Sequence, residues 1–160
     1  MTITRVTTDP PAGTLTLTAT FAAPVERVWQ VWADPRQLER WWGPPTYPAT
    51  VVEHDLTPGG HVTYFMTGPE GERFHGWWRV LEVDPPRGLR LEDGFGESPD
   101  DAADLPTSRM TLTLDPQPDG GTLMTLVGAF DSPEAFAQVM AMGMEEGLTL
   151  AAGQIDELLS

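Results

Sequence analysis

The sequence predicts an α+β domain in which a curved antiparallel sheet of about seven strands wraps around a long C-terminal helix. Residues 14–21 alternate apolar side chains with threonine, as a half-buried strand does. Residues 46–130 contain only strand patterns and turns, whereas residues 134–159 carry an apolar face of helical period without proline. A sheet this wide twists and coils, so the helix can lie in its concave face.

Two short helices are predicted after the first strand. Apolar residues recur at three- and four-residue steps from Pro24, which suits a first helical turn because its missing N–H would be unpaired there. Asp34 and Pro35 end this helix and begin the next one, as N-cap and first helical residue. The glycine and two prolines of residues 43–45 end the second helix.

The middle of the chain is predicted to be a meander of strands joined by tight turns. Glycine-containing turns at residues 58–60, 68–71 and 119–121 separate the apolar segments. Two segments lie outside this pattern: residues 1–12 are a polar lead-in, and the acidic residues 96–106 are a surface loop. The predicted strands are residues 46–56, 62–67, 73–83, 89–95, 109–114 and 122–130.

The last segment opens with a strong helix-start signal. Residues 131–134 supply a capping residue, a proline and a glutamate in the first turn. Gly143 and Gly147 then fall four residues apart inside the predicted helix, where each costs about 0.5–1 kcal/mol relative to alanine. Close approach to the sheet, room for a ligand, or a helix contact in a homodimer would each offset this cost.

Length and composition exclude several classes of protein. The 160 residues suffice for a single domain over 1–160 with its own core. Nine basic residues, all arginine, against 24 acidic ones give a net charge of −15, which repels nucleic acid and anionic membranes. The absence of cysteine excludes disulfides, thiolate nucleophiles and cysteine-bound metals. No signal-peptide pattern or membrane-spanning run is present, so we expect a cytoplasmic protein, and no cofactor is indicated.

Several motifs, in this order and spacing, resemble those of one superfamily. They are APVERVW at 23–29, LERWWGP at 38–44, DLTPGG at 55–60, GPEG at 68–71, residues 76–83 followed by two prolines, and GMEEG at 143–147. The chain from residue 14 to 159 resembles the START/Bet v 1-like (SRPBCC) superfamily, and more closely the homologues of the activator of the heat-shock protein 90 ATPase.

The resemblance implies a helix-grip fold with a cavity between the sheet and the C-terminal helix. Members of the superfamily include lipid and hormone carriers, aromatic polyketide cyclases and many bacterial proteins of undefined role. The arginine bias and the many alanine, glycine and proline residues are typical of a GC-rich bacterial genome. The eukaryotic activator contacts its chaperone through a further N-terminal domain, for which this chain has no room, and this speaks against direct stimulation of the chaperone.

Four of the six tryptophans form two adjacent pairs. Trp41 and Trp42 fall where the second helix leads into the sheet, and each either plugs that corner or forms a wall of the cavity. Trp77 and Trp78 lie on one strand and point to opposite faces. One faces the core or cavity, and the other lies on the outer face as cover, as a homodimer interface or as an exposed patch.

Strand parity and the resemblance together predict the residues that line the cavity. Methionine adapts to irregular apolar ligands, although it also fills cores. A one-residue slip in register would move every strand residue to the other face. The predicted ligand-binding residues are Trp42, Tyr64, Met66, Trp78, Phe95, Met110, Phe130, Met140, Gly143, Met144 and Gly147.

Polar side chains give weaker indications of chemistry. His54, His61 and His75 lack the spacing of metal ligands, so no metal site is predicted. An acid–base pair, if one exists, would join His54 or His75 to Glu53, Glu92 or Asp93, and the alternative is a solvated outer face. Arg79 and Arg109 would either meet a ligand carboxylate or pair with surface acids.

These observations lead to three hypotheses of function. The first is a protein that binds an apolar or amphipathic small molecule in an internal cavity, with no catalytic residue. The second is a chaperone-linked or regulatory interaction protein with a filled core. The third is an enzyme similar to polyketide cyclases or dehydratases. A cavity of several hundred Å3 favours the first, and two converging titratable groups inside it favour the third.

Overall fold

The computed structural model describes residues 2–97 and 106–159, with backbone alone for residues 2–4. The strands are β1 (Thr2–Asp9), β2 (Thr14–Phe21), β3 (Ala49–His54), β4 (His61–Thr67), β5 (Arg73–Asp84), β6 (Gly88–Phe95), β7 (Ser108–Pro116) and β8 (Thr122–Phe130). The helices are α1 (Val25–Ala33), α2 (Pro35–Trp41), α3 (Pro133–Met140), α4 (Met144–Ala152) and α5 (Ile155–Leu159).

The strands form one antiparallel sheet in the order β1-β2-β8-β7-β6-β5-β4-β3. Consecutive strands from β3 to β8 are neighbours, and β8 closes onto β2, so α1 and α2 carry the chain across the sheet from β2 to the far edge at β3. Along every strand, successive side chains point to opposite faces of the sheet. Every second side chain therefore points to the face that the helices cover. The predicted α+β helix-grip fold is confirmed.

The sheet has eight strands because the predicted lead-in is a strand. Residues 1–12 were expected to precede the fold, but Thr2–Asp9 pairs with β2 along its whole length. Residues 2–9 contain only two apolar residues, three positions apart, so this segment lacks the period-two alternation of a half-buried strand. Val6 packs against the core as a partly buried residue, while Arg5 is exposed. The acidic segment predicted at residues 96–106 lies mostly outside the described residues.

The two short helices form as predicted. The Asp34 carboxylate accepts a hydrogen bond from the Arg36 backbone N–H at 3.0 Å, which caps α2. The helix also completes the edge strand β3, where the Val51 N–H donates to Glu39 Oε2 and Arg36 donates to the Val51 carbonyl, both at 2.9 Å. These bonds occupy backbone groups that an open edge would leave unpaired.

The predicted single C-terminal helix is three helices. Gly143 has a φ of +89° and is the N-cap of α4, so it separates α3 from α4. A second break precedes Ile155, where the Gln154 side chain donates to the carbonyl of Gly43 at 2.6 Å. Periodicity did not predict the break at Gly143 because a glycine inside a helical pattern does not reveal the sign of its φ. The predicted start is confirmed, since Ser132 Oγ accepts from the Ala135 N–H at 3.0 Å.

Both tryptophans of the β5 pair are buried. Trp78 faces the core and is fully buried, while Trp77 lies on the outer face but is only 4% exposed. Its ring covers Gly94 on β6, where an added Cβ would lie 2.2 Å from the indole, and its Nε1 donates to the Phe95 carbonyl at 3.1 Å. Trp77 therefore covers a glycine of the neighbouring strand, and it is not an exposed patch.

In the two ranges that the structure describes, no helix has the length and apolar character needed to cross a membrane.

Alanine substitutions at Gly143 and Gly147 are expected to change stability in opposite directions. At Gly147 an added Cβ meets no atom within 4 Å, so Gly147→Ala should raise the free energy of unfolding by about 0.5–1 kcal/mol through helix propensity. At Gly143 the space is also open, but the positive φ strains any other residue, so Gly143→Ala should lower it by about 1 kcal/mol. Urea unfolding followed by tryptophan fluorescence measures both, and two shifts of the same sign would contradict the helix break.

Candidate functional site

A cavity of about 240 Å3 lies between the inner face of the sheet and helices α3 and α4. Strands β4, β6 and β7 form its floor, and the corner after α2 forms one side. Among the residues that the structure describes, its lining is apolar except for one carboxylate. The lining residues are Trp42, Pro44, Met66, Asp93, Phe95, Met110, Val139, Met142, Gly143, Met144, Gly147 and Leu148.

Strand register positions the floor of the cavity. On β6, the inward-facing positions are Leu91, Asp93 and Phe95, so a carboxylate occupies the place of an apolar residue between two others. Asp93 pairs with Trp78 of β5 on one side and with Ser108 of β7 on the other. The carboxylate therefore lies near the middle of the sheet, facing the helices.

Seven of the predicted ligand-binding residues line this cavity, and four do not. Tyr64 and Trp78 share the inner face but pack against Trp42, whose ring centroid is 6.0 Å from that of Tyr64 and 4.9 Å from that of Trp78. Phe130 packs on Phe136 in a second apolar cluster, against which Met140 also packs. The seven that line it are Trp42, Met66, Phe95, Met110, Gly143, Met144 and Gly147.

The sequence analysis did not assign the remaining lining residues. Pro44, Val139, Met142 and Leu148 come from the corner and from the helices, where the break at Gly143 changes which residues face the sheet. Asp93 was considered only as a partner for histidine. Parity along β6 contained the signal, since a strand with apolar residues facing inward would place this carboxylate inside the protein.

A cluster of four tryptophans and one tyrosine forms the wall beside the cavity. Trp41 is fully buried and plugs the corner, with its Nε1 donating to the Val31 carbonyl at 2.8 Å. Trp42 is 8% exposed and faces the cavity. Trp32 packs on Trp41 and Trp78 at centroid distances of 4.7 and 6.1 Å. Interlocked aromatic rings of this kind hold Trp42 in one orientation.

Burial raises the pKa of the Asp93 carboxyl from 3.8 to about 7, while the backbone N–H of Gly94 acts weakly in the opposite direction. The accessible surface that Asp93 retains faces the cavity. Burial and then the charge of Asp93 raise the pKa of Tyr64 well above its usual value, against a smaller opposing effect of the nearby Trp42 and Trp78 indoles. Near neutral pH, Asp93 can therefore either accept or donate a hydrogen bond.

The other candidate polar groups lie elsewhere. His54 Nε2 is 3.1 Å from the Trp32 carbonyl, and His75 is 3.6 Å from Glu97. Arg79 pairs with Glu92 at 3.3 Å, and Arg109 pairs with Asp131 at 2.7 Å. Within residues 2–97 and 106–159, no three His, Asp or Glu side chains form a group that could hold a metal ion.

A second depression of about 710 Å3 lies between the start of α1 and α5. It is open to solvent, and Arg27, Asp156 and Glu157 contribute charged groups to its lining. Arg27 is engaged there with the Gln37 side chain at 2.8 Å and with the Leu158 carbonyl. The smaller cavity, whose described lining is apolar apart from one carboxylate, is therefore the candidate site.

A curved antiparallel sheet closed by C-terminal helices, with a cavity between them, defines the helix-grip fold of the START/Bet v 1-like superfamily. The chain belongs to the family described as activator of Hsp90 ATPase homolog 1-like protein, whose model matches residues 22–160. A comparison with curated proteins finds no match.

Solved structures of bacterial proteins resemble the chain over nearly its whole length. A crystal structure from Mycobacterium smegmatis is 52% identical, with a TM-score of 0.89, covering 99% of this chain and 98% of that one. A solution structure from Arthrobacter aurescens is 43% identical, with a TM-score of 0.91, covering 97% and 90%. A crystal structure from Rhodobacter sphaeroides is 25% identical, with a TM-score of 0.80, covering 97% of each chain.

Proposed function

We propose that this protein binds a small apolar or amphipathic molecule in the cavity between the sheet and helices α3 and α4. The observation that carries the proposal is the lining, in which eleven of the twelve residues are apolar and one is a carboxylate. Ligand sites are typically concave and apolar, with a few polar groups that fix orientation. The cavity volume of about 240 Å3 is the volume that about eight water molecules occupy in the liquid. The ligand therefore has the size of a single-ring compound.

The side chains around the cavity suit binding of a guest molecule. Met66, Met110, Met142 and Met144 supply flexible, polarizable surface on three sides. Gly147 leaves open space where another residue would project a side chain. Met142 lines the cavity and is 52% exposed, so the way in lies at the break between α3 and α4.

The same observations separate the proposal from its alternatives. A filled core would leave no apolar cavity under the helices, so the cavity argues against an interaction protein of that kind. A cyclase requires two titratable groups that converge on the substrate, and among the described residues Asp93 is the one titratable residue in the lining. Tyr64, whose pKa the charge of Asp93 raises, packs against Trp42 and is not among the lining residues. The cavity therefore supports ligand binding over both alternatives.

Native mass spectrometry of the purified protein tests the proposal, together with saturation-transfer NMR using toluene as the probe. We expect a co-purified small molecule, saturation transfer to toluene, or both. Gly147→Leu should abolish them because the new side chain fills the cavity from α4, while thermal stability is retained or raised because leucine favours helix.

Glu146→Leu is the matched control, since it places the same side chain on an exposed position of the same helix and should leave binding unchanged. The proposal is overturned if the wild-type protein shows neither a bound molecule nor saturation transfer. It is equally overturned if Gly147→Leu binds as well as the control.

A further inference from the structure

We infer that the cavity selects a protonated amine on a compact apolar body, and that Asp93 is the residue that makes this selection. The inference rests on the proposed function and adds the chemical class of the ligand. It starts from the position of one carboxylate in an otherwise apolar cavity.

No cation of the described chain lies at this carboxylate. Arg79 and Arg109, on the strands beside β6, face outward and pair with Glu92 and Asp131. Glu145 and Glu146 of α4 are exposed to solvent. Tyr64, whose pKa the charge of Asp93 raises, is a phenol and supplies no positive charge. A positively charged ligand would therefore supply the cation that the described residues do not place at Asp93.

The hydrogen-bonding capacity of Asp93 is also largely unused. An ionised carboxylate accepts about four hydrogen bonds. Here the backbone N–H of Gly94 supplies one, and the neighbours across the sheet are Trp78 and Ser108. A carboxylate held away from water without a charged partner is unfavourable, and an ammonium group provides both a charge and up to three donors.

Two further features favour a cation over a neutral ligand. The indole of Trp42 lines the same cavity, and an aromatic face attracts an ammonium group held against it. The net charge of −15 gives the protein a field that concentrates cations and repels anions. An alcohol of the same shape gains the apolar contacts but neither electrostatic contribution, and a carboxylate is repelled by Asp93.

Isothermal titration calorimetry with phenethylamine, phenethyl alcohol and phenylacetate tests the inference, because the three probes share one apolar body. At about pH 8 we expect phenethylamine to bind about tenfold or more tightly than the alcohol, and phenylacetate to bind weakest. Asp93→Asn should remove the preference for the amine, while Asp115→Asn, an exposed strand carboxylate, should preserve it. Amine binding should also weaken as the pH falls below about 7, when protons compete for Asp93.

The outcomes distinguish this inference from the proposed function. Equal binding of amine and alcohol, or an amine preference that survives in Asp93→Asn, overturns the inference and leaves the proposed function intact. If phenylacetate binds most tightly of the three probes, the inference is likewise overturned and the proposed function is left intact. If none of the three probes binds, the inference is overturned, and the toluene and native mass spectrometry experiments decide the proposed function separately.

Discussion

Replacing Asp93 by asparagine should stabilise the protein by about 2–4 kcal/mol at about pH 8, and by less than half of that at about pH 5. Burial raises the pKa of Asp93 from 3.8 to about 7, so the folded state holds this proton more tightly than the unfolded chain. The wild-type protein therefore loses stability from this group as the pH rises from about 4 to about 7. Asparagine has no proton to lose, so the variant avoids this loss.

Urea unfolding of the wild-type protein and of Asp93→Asn between about pH 5 and pH 9 measures the difference between their free energies of unfolding. The other carboxylates contribute equally to both proteins, so their contributions cancel in this difference. Asp115→Asn removes an exposed carboxylate and should shift stability by about 0.5 kcal/mol or less at every pH. A difference between wild type and Asp93→Asn that does not change with pH would show that Asp93 is ionised at its ordinary pKa, and the cavity would then be far wetter than its lining indicates.

Truncation of Trp78 to alanine is expected to cost about 3–5 kcal/mol, the range for a fully buried large aromatic residue. Its ring contacts Trp42, Trp32 and Tyr64 at centroid distances of 4.9, 6.1 and 6.3 Å. Removing it opens a void behind Trp42, so the cavity wall also loses its support. Trp78→Ala should therefore weaken phenethylamine binding as well as stability.

Phe74→Ala is the matched comparison, since Phe74 lies on the same face of β5 but is 53% exposed. It should cost about 1 kcal/mol or less and leave ligand binding unchanged. Chemical denaturation followed by circular dichroism measures the stability of both variants. Circular dichroism is preferred to tryptophan fluorescence because Trp78→Ala removes one of the fluorophores. Similar costs for the two variants would mean that the aromatic cluster is not the centre of the core.

The Asp93 and Trp78 predictions have opposite signs at neighbouring positions on paired strands. Trp78 stabilises the fold, whereas Asp93 lowers its stability at neutral pH. A residue that costs stability in the middle of a sheet is typical of a binding site, where function and stability compete. If both predictions hold, the contrast favours a ligand site at Asp93 over one among the tryptophans.

The sequence predicted much of the fold because its patterns are local. Alternation in residues 14–21, the Asp34 and Pro35 boundary and the Ser132 cap each depend on neighbouring residues, and each is present in the structure. The edge strand β1 escaped prediction because its two apolar residues, Ile3 and Val6, are three positions apart across a β-bulge, so the segment shows no period-two alternation. The helix break escaped because a glycine inside a helical pattern does not reveal the sign of its φ.

The sequence likewise predicted some of the residues at the site and missed others. Parity along the strands placed Met66, Phe95 and Met110 on the inner face, and the structure brings them to the cavity. Parity cannot tell a residue at the cavity from one buried behind another residue. Tyr64 and Trp78 share the inner face with Met66, but they pack against the ring of Trp42 and are not among the lining residues.

The sequence by itself determined the fold class, the family resemblance, the acidic character and the inner face of the sheet, because these follow from periodicity, motifs and composition. The tertiary structure decided which inward-facing residues meet empty space, where the helix breaks, and that one carboxylate faces an apolar cavity without a cation. These properties depend on how side chains from distant segments pack, and on the removal of water from Asp93, which no local pattern records.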